Sequence, residues 1–408
     1  MKFLFYPISS HGHVNPLLPL LQELVSRGDE VVVHVTRAFE AVVRPTGAAV
    51  RLLDDGLTIP TALTGGEHGP TSDQLGVRIL GIMRHGLRET PRLLEQARAE
   101  QADCIVYDPM AMWGRAIAEV LPLPRAIFHT SVGTSHSPTF QRELKKTLKG
   151  LPPPRILRSI LGLLWTSEVL HWRHGLPRVG MNDTTSAVEG LNLVPVPRAY
   201  QPDAHLFDER FVFVGPSVPP RDERKDFPLE QLDGKPVLLI ALGTSALNQR
   251  PDFYKACFEA FRDTRWQVVM ACGKGLEPAS LGPVPSNILV RQWVPQLDVL
   301  QRARVFVTHG GMNSTMEGLW HGVPLAVFPQ FGDQPVNAAR VSELGLGVSL
   351  TAGEALEPKV LRDIVERLDT DPGYRSRIAE FQKELREAGG HRRAADALQQ
   401  YAARRRAS

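Results

Sequence analysis

The stretch from Trp293 to Gln334 constrains the fold of this chain more than any other part of the sequence. It contains two short apolar runs with strand character, Val305–Thr308 and Pro324–Phe328, and a helix-like segment between them, Met312–His321. A strand, a crossover helix and a second strand form a βαβ unit, whose strands are parallel and whose crossover is right-handed. The stretch therefore predicts an α/β domain built on a parallel sheet.

A glycine pair, Gly310 and Gly311, joins the first of these strands to the helix. A helix N-terminus after such a turn binds anions, because its free backbone N–H groups and its dipole both point at the ligand. Glycine has no side chain, so a pyrophosphate can approach the backbone closely. Asn313 and Ser314 lie in the first turn and can donate further hydrogen bonds, and His309 is expected to donate as well. The turn therefore predicts a diphosphate site.

Further residues of the stretch match the other parts of a sugar nucleotide. Glu317 lies one turn deeper on the same helix face as Asn313, where a carboxylate can accept from the two vicinal hydroxyls of a ribose. Trp293 offers a flat apolar face to a nucleobase. Asp333 and Gln334 follow the next strand, so they lie at the same edge of the sheet and can hydrogen-bond the hydroxyls of a hexose.

The first half of the chain also has an α/β pattern. Lys2–Ile8 and Glu30–Thr36 suit buried parallel strands, and a helix from Asn15 to Gly28 lies between them. Further strand candidates are Val50–Leu53, Cys104–Tyr107 and Arg125–His129. This pattern predicts a doubly wound α/β domain.

A proline-rich, charged segment separates this series from a second one. Residues 216–228 read PSVPPRDERKDFP, which is the composition of a semi-rigid linker. The strand candidates that follow it, before the βαβ unit, are Pro236–Leu242, Trp266–Ala271 and Ile288–Val290. We therefore expect two domains, residues 1–215 and 236–375, with a linker at 216–235 and a helical tail at 376–408.

Residues 55–90 and 133–185 interrupt the pattern of the first domain. The first segment is rich in glycine and threonine, and the second carries prolines, basic residues and aromatic residues. We expect both to be long irregular insertions, which usually carry substrate specificity or lie on the surface. Their basic side chains are expected to form a solvated face.

Histidines and an aspartate follow two strands of the first domain. His11 and His13 lie in the loop after the first strand, and Asp108 comes directly after Cys104–Tyr107. Ligands bind at the carboxyl ends of such strands, and two strand ends can bring a histidine and an aspartate into contact there. The aspartate stabilises the imidazolium through one ring nitrogen and leaves the other nitrogen to accept a proton. The pair therefore predicts a general base.

Together these motifs resemble the family 1 UDP-dependent glycosyltransferases over nearly the whole chain. The matching motifs are W-x-P-Q at Trp293, H-x-G-x-N-S-x-x-E at His309, D-Q at Asp333 and HGHVNP at His11–Pro16. The HGHVNP motif is similar to the one near the N-terminus of the bacterial macrolide and natural-product glycosyltransferases. The resemblance implies the GT-B fold, in which two Rossmann-like doubly wound domains face a cleft and the last helix crosses back onto the first domain.

The resemblance also implies roles for individual residues. His13 is expected to be the general base and Asp108 its partner, whereas His11 is the less favoured base. The donor-binding residues are expected to be Trp293, Val294, Gln296, His309, Gly310, Gly311, Asn313, Ser314, Glu317, Asp333 and Gln334. Thr244 and Ser245, in the turn after Pro236–Leu242, are expected to contact the distal phosphate.

Such an enzyme moves a hexose, here expected to be glucose, from a UDP-sugar to a hydroxyl of an apolar natural product such as a macrolide, a polyketide or a flavonoid. A single displacement at an α-linked donor gives a β-glycoside. The guessed acceptor-binding residues are Met110, Met112, Trp113, Phe140 and Trp172. No metal and no cofactor are expected, because no Asp-x-Asp follows a strand and backbone N–H groups can meet the charge on the leaving group.

Composition and charge exclude several other classes of protein. The 408 residues carry 47 Lys and Arg against 44 Asp and Glu, a balance that does not indicate nucleic acid as the ligand. Three widely spaced cysteines have neither disulfide nor zinc spacing and indicate a reducing cytoplasm. No apolar run approaches the roughly 20 residues of a membrane span, and the first residues lack the pattern of a signal peptide. We expect no stable membrane insertion, and a monomer or weak homodimer.

Two related functions stay open on the sequence: a TDP-sugar-dependent antibiotic glycosyltransferase, and a lipid- or sterol-directed transferase of the same fold. A dinucleotide-dependent oxidoreductase would need G-x-G-x-x-G after the first strand and an acid at the end of the second. This chain has Ser9–His13 and Thr36 at those places. A non-catalytic binding module would lack the base or its partner, and both are present.

Overall fold

The computed structural model describes residues 1–59, 72–147, 153–219, 227–232, 234–243 and 250–407. The strands in these ranges are β1 (Lys2–Tyr6), β2 (Glu30–Val35), β3 (Ala49–Leu52), β4 (Cys104–Tyr107), β5 (Arg125–Phe128), β6 (Leu191–Val194), β7 (Phe211–Phe213), β8 (Val237–Ala241), β9 (Gln267–Ala271), β10 (Ile288–Arg291), β11 (Ala303–Thr308), β12 (Leu325–Val327) and β13 (Gly347–Ser349).

Helices alternate with these strands along most of the chain. In the same ranges they are α1 (His11–Val14), α2 (Leu18–Ser26), α3 (Arg37–Val43), α4 (Ser72–Glu100), α5 (Met112–Val120), α6 (Pro138–Thr147), α7 (Pro154–His174), α8 (Asp183–Ser186), α9 (Pro251–Phe261), α10 (Gln296–Leu300), α11 (Met312–Trp320), α12 (Gln334–Glu343), α13 (Ala352–Leu356), α14 (Pro358–Thr370), α15 (Pro372–Glu387) and α16 (Gly390–Ala407). None of these helices is long and apolar enough to cross a membrane.

The strands form two parallel sheets. The first has the order β3-β2-β1-β4-β5-β6-β7 and the second the order β10-β9-β8-β11-β12-β13. The strand order reverses between β1 and β4 in the first sheet and between β8 and β11 in the second, and such switch points are where α/β sheets bind ligands. The predicted fold class, α/β with two doubly wound domains, is confirmed.

Both faces of each sheet are covered, which explains why the sequence located most strands. Two clusters of buried apolar residues cover the two faces of the first sheet, and a third covers one face of the second. A fourth runs from the other face of the second sheet to β6 and β7 of the first. Strands covered on both faces are continuous apolar runs, and β4 was predicted with its observed bounds. The strands β6, β7 and β13 were not predicted.

The prediction of irregular insertions at 55–90 and 133–185 is wrong for most of their described residues. The 29-residue helix α4 and the 21-residue helix α7 occupy much of them and pack against each other. The glycines of α4 indicated loops, but one of them marks a close contact. A Cβ on Gly86 would lie 2.1 Å from Cε3 of Trp113, so only glycine admits the indole there.

The end of the chain returns to the first domain. Helix α15 still packs on the second, where Gln382 Nε2 donates to the carbonyl of Trp320 at 2.7 Å. The chain turns at Gly389, whose φ is +89°, and α16 then packs against α2. Arg27 and Asp396 form an ion pair of 2.6 Å between these two helices.

Candidate active site

The first wall of the cleft is the short helix α1, which follows β1. Ser10 is extended and precedes the helix, and the backbone N–H groups of His13 and Val14 donate to its carbonyl. This single turn directs the His13 side chain towards the end of β4. Because β1 and β4 are hydrogen-bonded neighbours, with Tyr6 opposite Tyr107, the next residue of β4 lies beside the turn.

That next residue is Asp108, and it contacts His13. Nδ1 of His13 lies 2.5 Å from Oδ2 of Asp108, and Oδ1 of Asp108 accepts from the backbone N–H of Met110 at 2.8 Å. A carboxylate can only accept, so Nδ1 carries a proton and the neutral ring has its lone pair on Nε2. Asp108 is 2% exposed and His13 is 18% exposed, so solutes in the cleft can reach the imidazole but not the carboxylate.

The surroundings strengthen His13 as a base. Burial alone would lower the pKa of His13, but the charge and hydrogen bond of Asp108, with a smaller contribution from Asp333, raise it above its ordinary value. His11 differs from His13 in its packing and in the direction of its pKa shift. It packs edge-on against Phe39, and burial and the charge of Lys274 lower its pKa. The predicted contact is therefore between Asp108 and His13 rather than His11.

The second wall of the cleft is the N-terminus of α11. Gly310 has a φ of +81°, and a Cβ there would lie 2.6 Å from Cγ1 of Val327, so glycine is required on both counts. Gly311 precedes the helix, no side chain caps its first N–H groups, and the first turn carries no acid. The turn therefore presents uncapped donors to the cleft, as the sequence predicts for an anion site.

The imidazole of His309 requires glycine at two further positions, which the sequence did not reveal. Its imidazole lies between Gly243 and Gly311, where an added Cβ would come within 2.6 Å of Cε1 or 2.4 Å of Nε2 respectively. Burial lowers the pKa of His309 to about 4, so the ring is neutral at physiological pH. His309 can therefore offer a single N–H to a phosphate but no positive charge.

Gln296 fixes the carboxylate expected to bind the ribose. Its Nε2 donates to Oε2 of Glu317 at 2.6 Å and to Oγ of Ser314 at 3.3 Å. Glu317 also lines a cavity between the two domains, together with Asn313 and Pro16. The W-x-P-Q segment and α11 are thus held together by side chains of both motifs.

The two residues at the start of that segment have opposite surroundings. Trp293 is 41% exposed, which leaves part of its indole accessible to a nucleobase. Val294 is 4% exposed and packs in the core of the second domain. Val294 therefore supports the segment from within, and a contact between its side chain and the donor is not available in this arrangement.

Asp333 and Gln334 also differ from each other. Oδ2 of Asp333 accepts from Oγ of Ser131 at 2.6 Å, a hydrogen bond that links the two domains. Gln334 is buried, and its Oε1 accepts from the backbone N–H groups of Gln330 and Phe331 at 2.8 and 3.3 Å. The carboxamide oxygen of Gln334 therefore holds the loop before α12, and only its amide N–H groups remain for a sugar.

A second contact brings the two walls of the cleft together. Nδ2 of Asn313 donates to the backbone carbonyl of Gly12 at 3.2 Å. Gly12 precedes His13, so the uncapped end of α11 lies within one hydrogen bond of the loop that carries the imidazole. Ser131 and Gly12, neither of which the sequence singled out, are the residues of the first domain that make these links. Thr244 and Ser245 lie outside the described residues.

The guessed acceptor residues do not surround a common site. Met110 lies beside Asp108 through its backbone, but Met112 and Trp113 are buried in the core of the first domain, at 1% and 0% exposure. Phe140 is buried in a different cluster, and Trp172 is 80% exposed on the outer surface of α7. Met112 and Trp113 are therefore core residues and Trp172 is a surface residue, because aromatic and sulfur-containing residue types alone do not distinguish core positions from a pocket.

Metal-binding groups and reactive cysteines are two other possible sources of chemistry in the described ranges. They contain no group of three or more His, Cys, Asp and Glu residues that could hold a metal ion. The three cysteines are free and buried, and burial raises their pKa values.

Comparisons with known proteins identify the family. Residues 232–383 match the model of the UDP-glucoronosyl and UDP-glucosyl transferase family. The chain is 37% identical to the NDP-glycosyltransferase YjiC of Bacillus licheniformis over 400 residues, which cover 98% of this chain and 97% of that protein. It is 30% identical to the oleandomycin glycosyltransferase of Streptomyces antibioticus, covering 97% of this chain and 89% of that protein.

A solved structure agrees with these relatives. The crystal structure of CalG4, the calicheamicin glycosyltransferase, is 33% identical and superimposes with a TM-score of 0.76 over 99% of this chain and 98% of that one. The resemblance drawn from the motifs is thus confirmed over the full length of the fold. The chain belongs to the family 1 UDP-dependent glycosyltransferases and has the GT-B fold.

Proposed function

We propose that this enzyme transfers glucose from UDP-glucose, with inversion, to a hydroxyl of an apolar natural product, and that His13 is the general base. The observation that carries the proposal is the meeting of two features across the cleft. The imidazole of His13 is held by Asp108, and the preceding carbonyl, that of Gly12, accepts from Asn313 in the first turn of α11. A base and an anion site therefore lie side by side.

The reaction needs one displacement. The acceptor hydroxyl gives its proton to Nε2 of His13 while its oxygen forms a bond to the anomeric carbon of the sugar. The bond between that carbon and the diphosphate oxygen breaks, and UDP leaves with the electron pair. Asp108 stabilises the imidazolium that results, and attack from the face opposite the leaving group converts an α-linked donor to a β-glycoside.

The charge that develops on UDP is met without a metal ion in this proposal. The uncapped N–H groups of α11 point into the cleft, Asn313 and Ser314 lie in its first turn, and His309 adds a neutral N–H. Fixed donors of this kind stabilise a leaving diphosphate because they do not have to reorient as the charge develops. Thr244 and Ser245 are expected to add donors at the distal phosphate.

The donor specificity follows from Trp293 and Glu317. The exposed indole of Trp293 suits stacking on a pyrimidine. Glu317, held by Gln296, suits a ribose with two vicinal hydroxyls better than a deoxyribose with one, which favours UDP over TDP. Asp333 accepts from a hydroxyl of Ser131, and a hexose hydroxyl can donate to the same carboxylate.

The acceptor class rests on the relatives. The similar enzymes include ones named for oleandomycin and calicheamicin, and we propose a small, apolar, hydroxylated acceptor for this chain by analogy with them. The test is a screen of the purified enzyme against a panel of macrolide, polyketide and flavonoid acceptors, with UDP-glucose and TDP-glucose as donors, read by mass spectrometry.

The screen has three expected results. We expect a mass gain of one hexose with UDP-glucose, a higher kcat/KM than with TDP-glucose, and a β-linked product by the anomeric proton coupling in NMR. A preference for TDP-glucose would overturn the donor assignment, and an α-linked product would overturn the single displacement.

A further inference from the structure

The outer face of α7 carries a row of large apolar side chains that the proposed function does not use. Five of them are strongly exposed: Leu157 at 47%, Leu161 at 57%, Leu164 at 44%, Trp165 at 70% and Trp172 at 80%. These five are half of the ten exposed large apolar side chains in the described part of the chain. We call this row the α7 stripe.

The members of the α7 stripe lie on one side of the helix and are not a scatter of single residues. Leu161, Leu164, Trp165 and Trp172 follow Leu157 by 4, 7, 8 and 15 residues. At 3.6 residues per turn, all five therefore lie within an arc of about 100° on one side of the helix. The opposite side of α7 is buried, at Leu163, Thr166, Ser167 and Leu170, where the helix packs on α4. The helix is therefore anchored by one face while the other presents leucine and tryptophan to solvent.

The charge of α7 is predominantly positive. It contains Arg155, Arg158 and Arg173, all exposed, near its two ends, and its single carboxylate is Glu168. Arg178 neutralises that carboxylate with two hydrogen bonds of 2.8 and 2.9 Å. The indole N–H of Trp172 also donates to Glu168 at 2.7 Å, so the acid is tied down within the stripe.

The size of the stripe argues against a stable dimer. From Leu157 to Trp172 it extends over about 22 Å, and a row one side chain wide covers roughly 200 Å². A stable protein interface buries about 800 Å² on each partner, several times more. A narrow stripe of leucine and tryptophan flanked by arginine is instead the composition of a helix that lies in the interface of an anionic bilayer.

We propose that the α7 stripe adsorbs reversibly to the surface of an anionic lipid bilayer. Leucine and tryptophan enter the boundary between headgroups and acyl chains, and the arginines contact lipid phosphates. Adsorption would place the first domain against the phase in which an apolar acceptor concentrates. The proposal goes beyond the glycosyl transfer proposed above and does not depend on it, because adsorption requires neither donor nor acceptor.

The test is sedimentation of the purified protein with sucrose-loaded vesicles, made of phosphatidylcholine alone or of phosphatidylcholine mixed with phosphatidylglycerol. We expect the protein to pellet with the mixed vesicles and less with phosphatidylcholine alone. The double variant L161S/W165S should lower the partition coefficient at least about tenfold, since each apolar side chain that enters the bilayer contributes strongly. R155Q/R158Q should lower binding to mixed vesicles by about fivefold per arginine and leave binding to phosphatidylcholine unchanged.

Leu206→Ser is the matched control, because Leu206 is 45% exposed on a different surface and its removal should leave partitioning unchanged. UDP affinity and the thermal midpoint show whether each variant is folded. Failure of the wild-type protein to pellet with mixed vesicles, or equal pelleting of L161S/W165S, would overturn the proposal. If light scattering shows a dimer that L161S/W165S converts to a monomer, the stripe binds a second copy of the chain, and the bilayer is the wrong partner.

Discussion

Oδ2 of Asp333, in the second domain, accepts a hydrogen bond of 2.6 Å from Oγ of Ser131, in the first. Ser131 follows Thr130, whose hydroxyl lies 3.4 Å from Nδ1 of His13. The carboxylate expected to hold the hexose is therefore tied to the loop beside the proposed base. If Asp333 binds the hexose as proposed, one side chain of the second domain contacts both the sugar and the first domain.

This relationship predicts different effects of two substitutions. Asp333→Ala removes the acceptor for the sugar hydroxyls and should lower kcat with UDP-glucose about 10- to 100-fold, the range for hydrogen bonds to a charged group. UDP affinity, measured by calorimetry, should stay within error, because UDP has no hexose. Ser131→Ala removes one hydrogen bond between the domains and leaves the carboxylate in place, so it should have the smaller effect on kcat. If Asp333→Ala weakens UDP binding as much as turnover, Asp333 supports the fold of the loop and not the sugar.

A second prediction concerns Trp293. If its exposed indole stacks on the uracil, Trp293→Ala should weaken UDP binding by about 1–3 kcal/mol, as aromatic stacking on bases does. Trp172→Ala is the control, because Trp172 is even more exposed but lies on the outer face of α7. Calorimetry with UDP distinguishes the two variants. Unchanged UDP affinity in a folded Trp293→Ala protein would show that the uracil does not stack on Trp293.

The third prediction concerns metal ions. The proposed donors to the diphosphate are the N–H groups of α11, Asn313, Ser314 and His309, so exhaustive EDTA treatment should leave kcat unchanged. Initial rates before and after chelation, with Mg²⁺ or Mn²⁺ added back, provide the measurement. Loss of activity that either ion restores would mean that a divalent cation meets the charge of the leaving group.

Much of this arrangement follows from the sequence because its causes are local. Parallel strands buried on both faces give continuous apolar runs, and residues directly after such strands meet at one edge of the sheet. His13 and Asp108 meet for this reason, although 95 residues separate them along the chain. The glycines before α11 are also local, because a φ of +81° at Gly310 restricts the residue type.

The remaining features depend on contacts between elements that are distant in the sequence, so no single stretch predicts them. The glycine-rich segment 55–90 indicated an irregular insertion, yet its Gly86 lies inside α4, where Trp113 packs against it. Met112 and Trp113 have the residue types of a pocket and are core, because α5 packs them under the first sheet. Ser131 gave no signal, since its importance comes from Asp333 in another domain. Sequence periodicity reports which face of an element is buried, and not which element covers it.

The fourth prediction concerns pH. Asp108 raises the pKa of His13, so the acid limb of kcat/KM, which reports the base of the free enzyme, should have its midpoint above the ordinary histidine value of about 6.5. Asp108→Asn removes the negative charge that favours the imidazolium, while the burial that disfavours it stays. The midpoint should therefore move to lower pH. Asp333→Asn should move it less, because Asp333 is the smaller contribution. An acid limb that stays in place or moves upward in Asp108→Asn would contradict the pairing.

The central claim is that His13 takes the proton of the acceptor, and acceptors of different acidity test it most directly. General-base catalysis contributes about 10²–10⁴-fold, so His13→Ala should slow transfer to an aliphatic alcohol by about that factor while UDP binding stays normal. An acidic phenol or a thiol loses its proton easily, so transfer to it should fall much less. His11→Ala is the matched control and should show no such dependence on the acceptor.

The decisive measurement is therefore kcat/KM of wild type, His13→Ala and His11→Ala on one alcohol, one acidic phenol and one thiol, with UDP-glucose as the donor. The account predicts a large loss on the alcohol alone, and only in His13→Ala. Equal losses on all three acceptors in His13→Ala, or the selective pattern in His11→Ala, would contradict it.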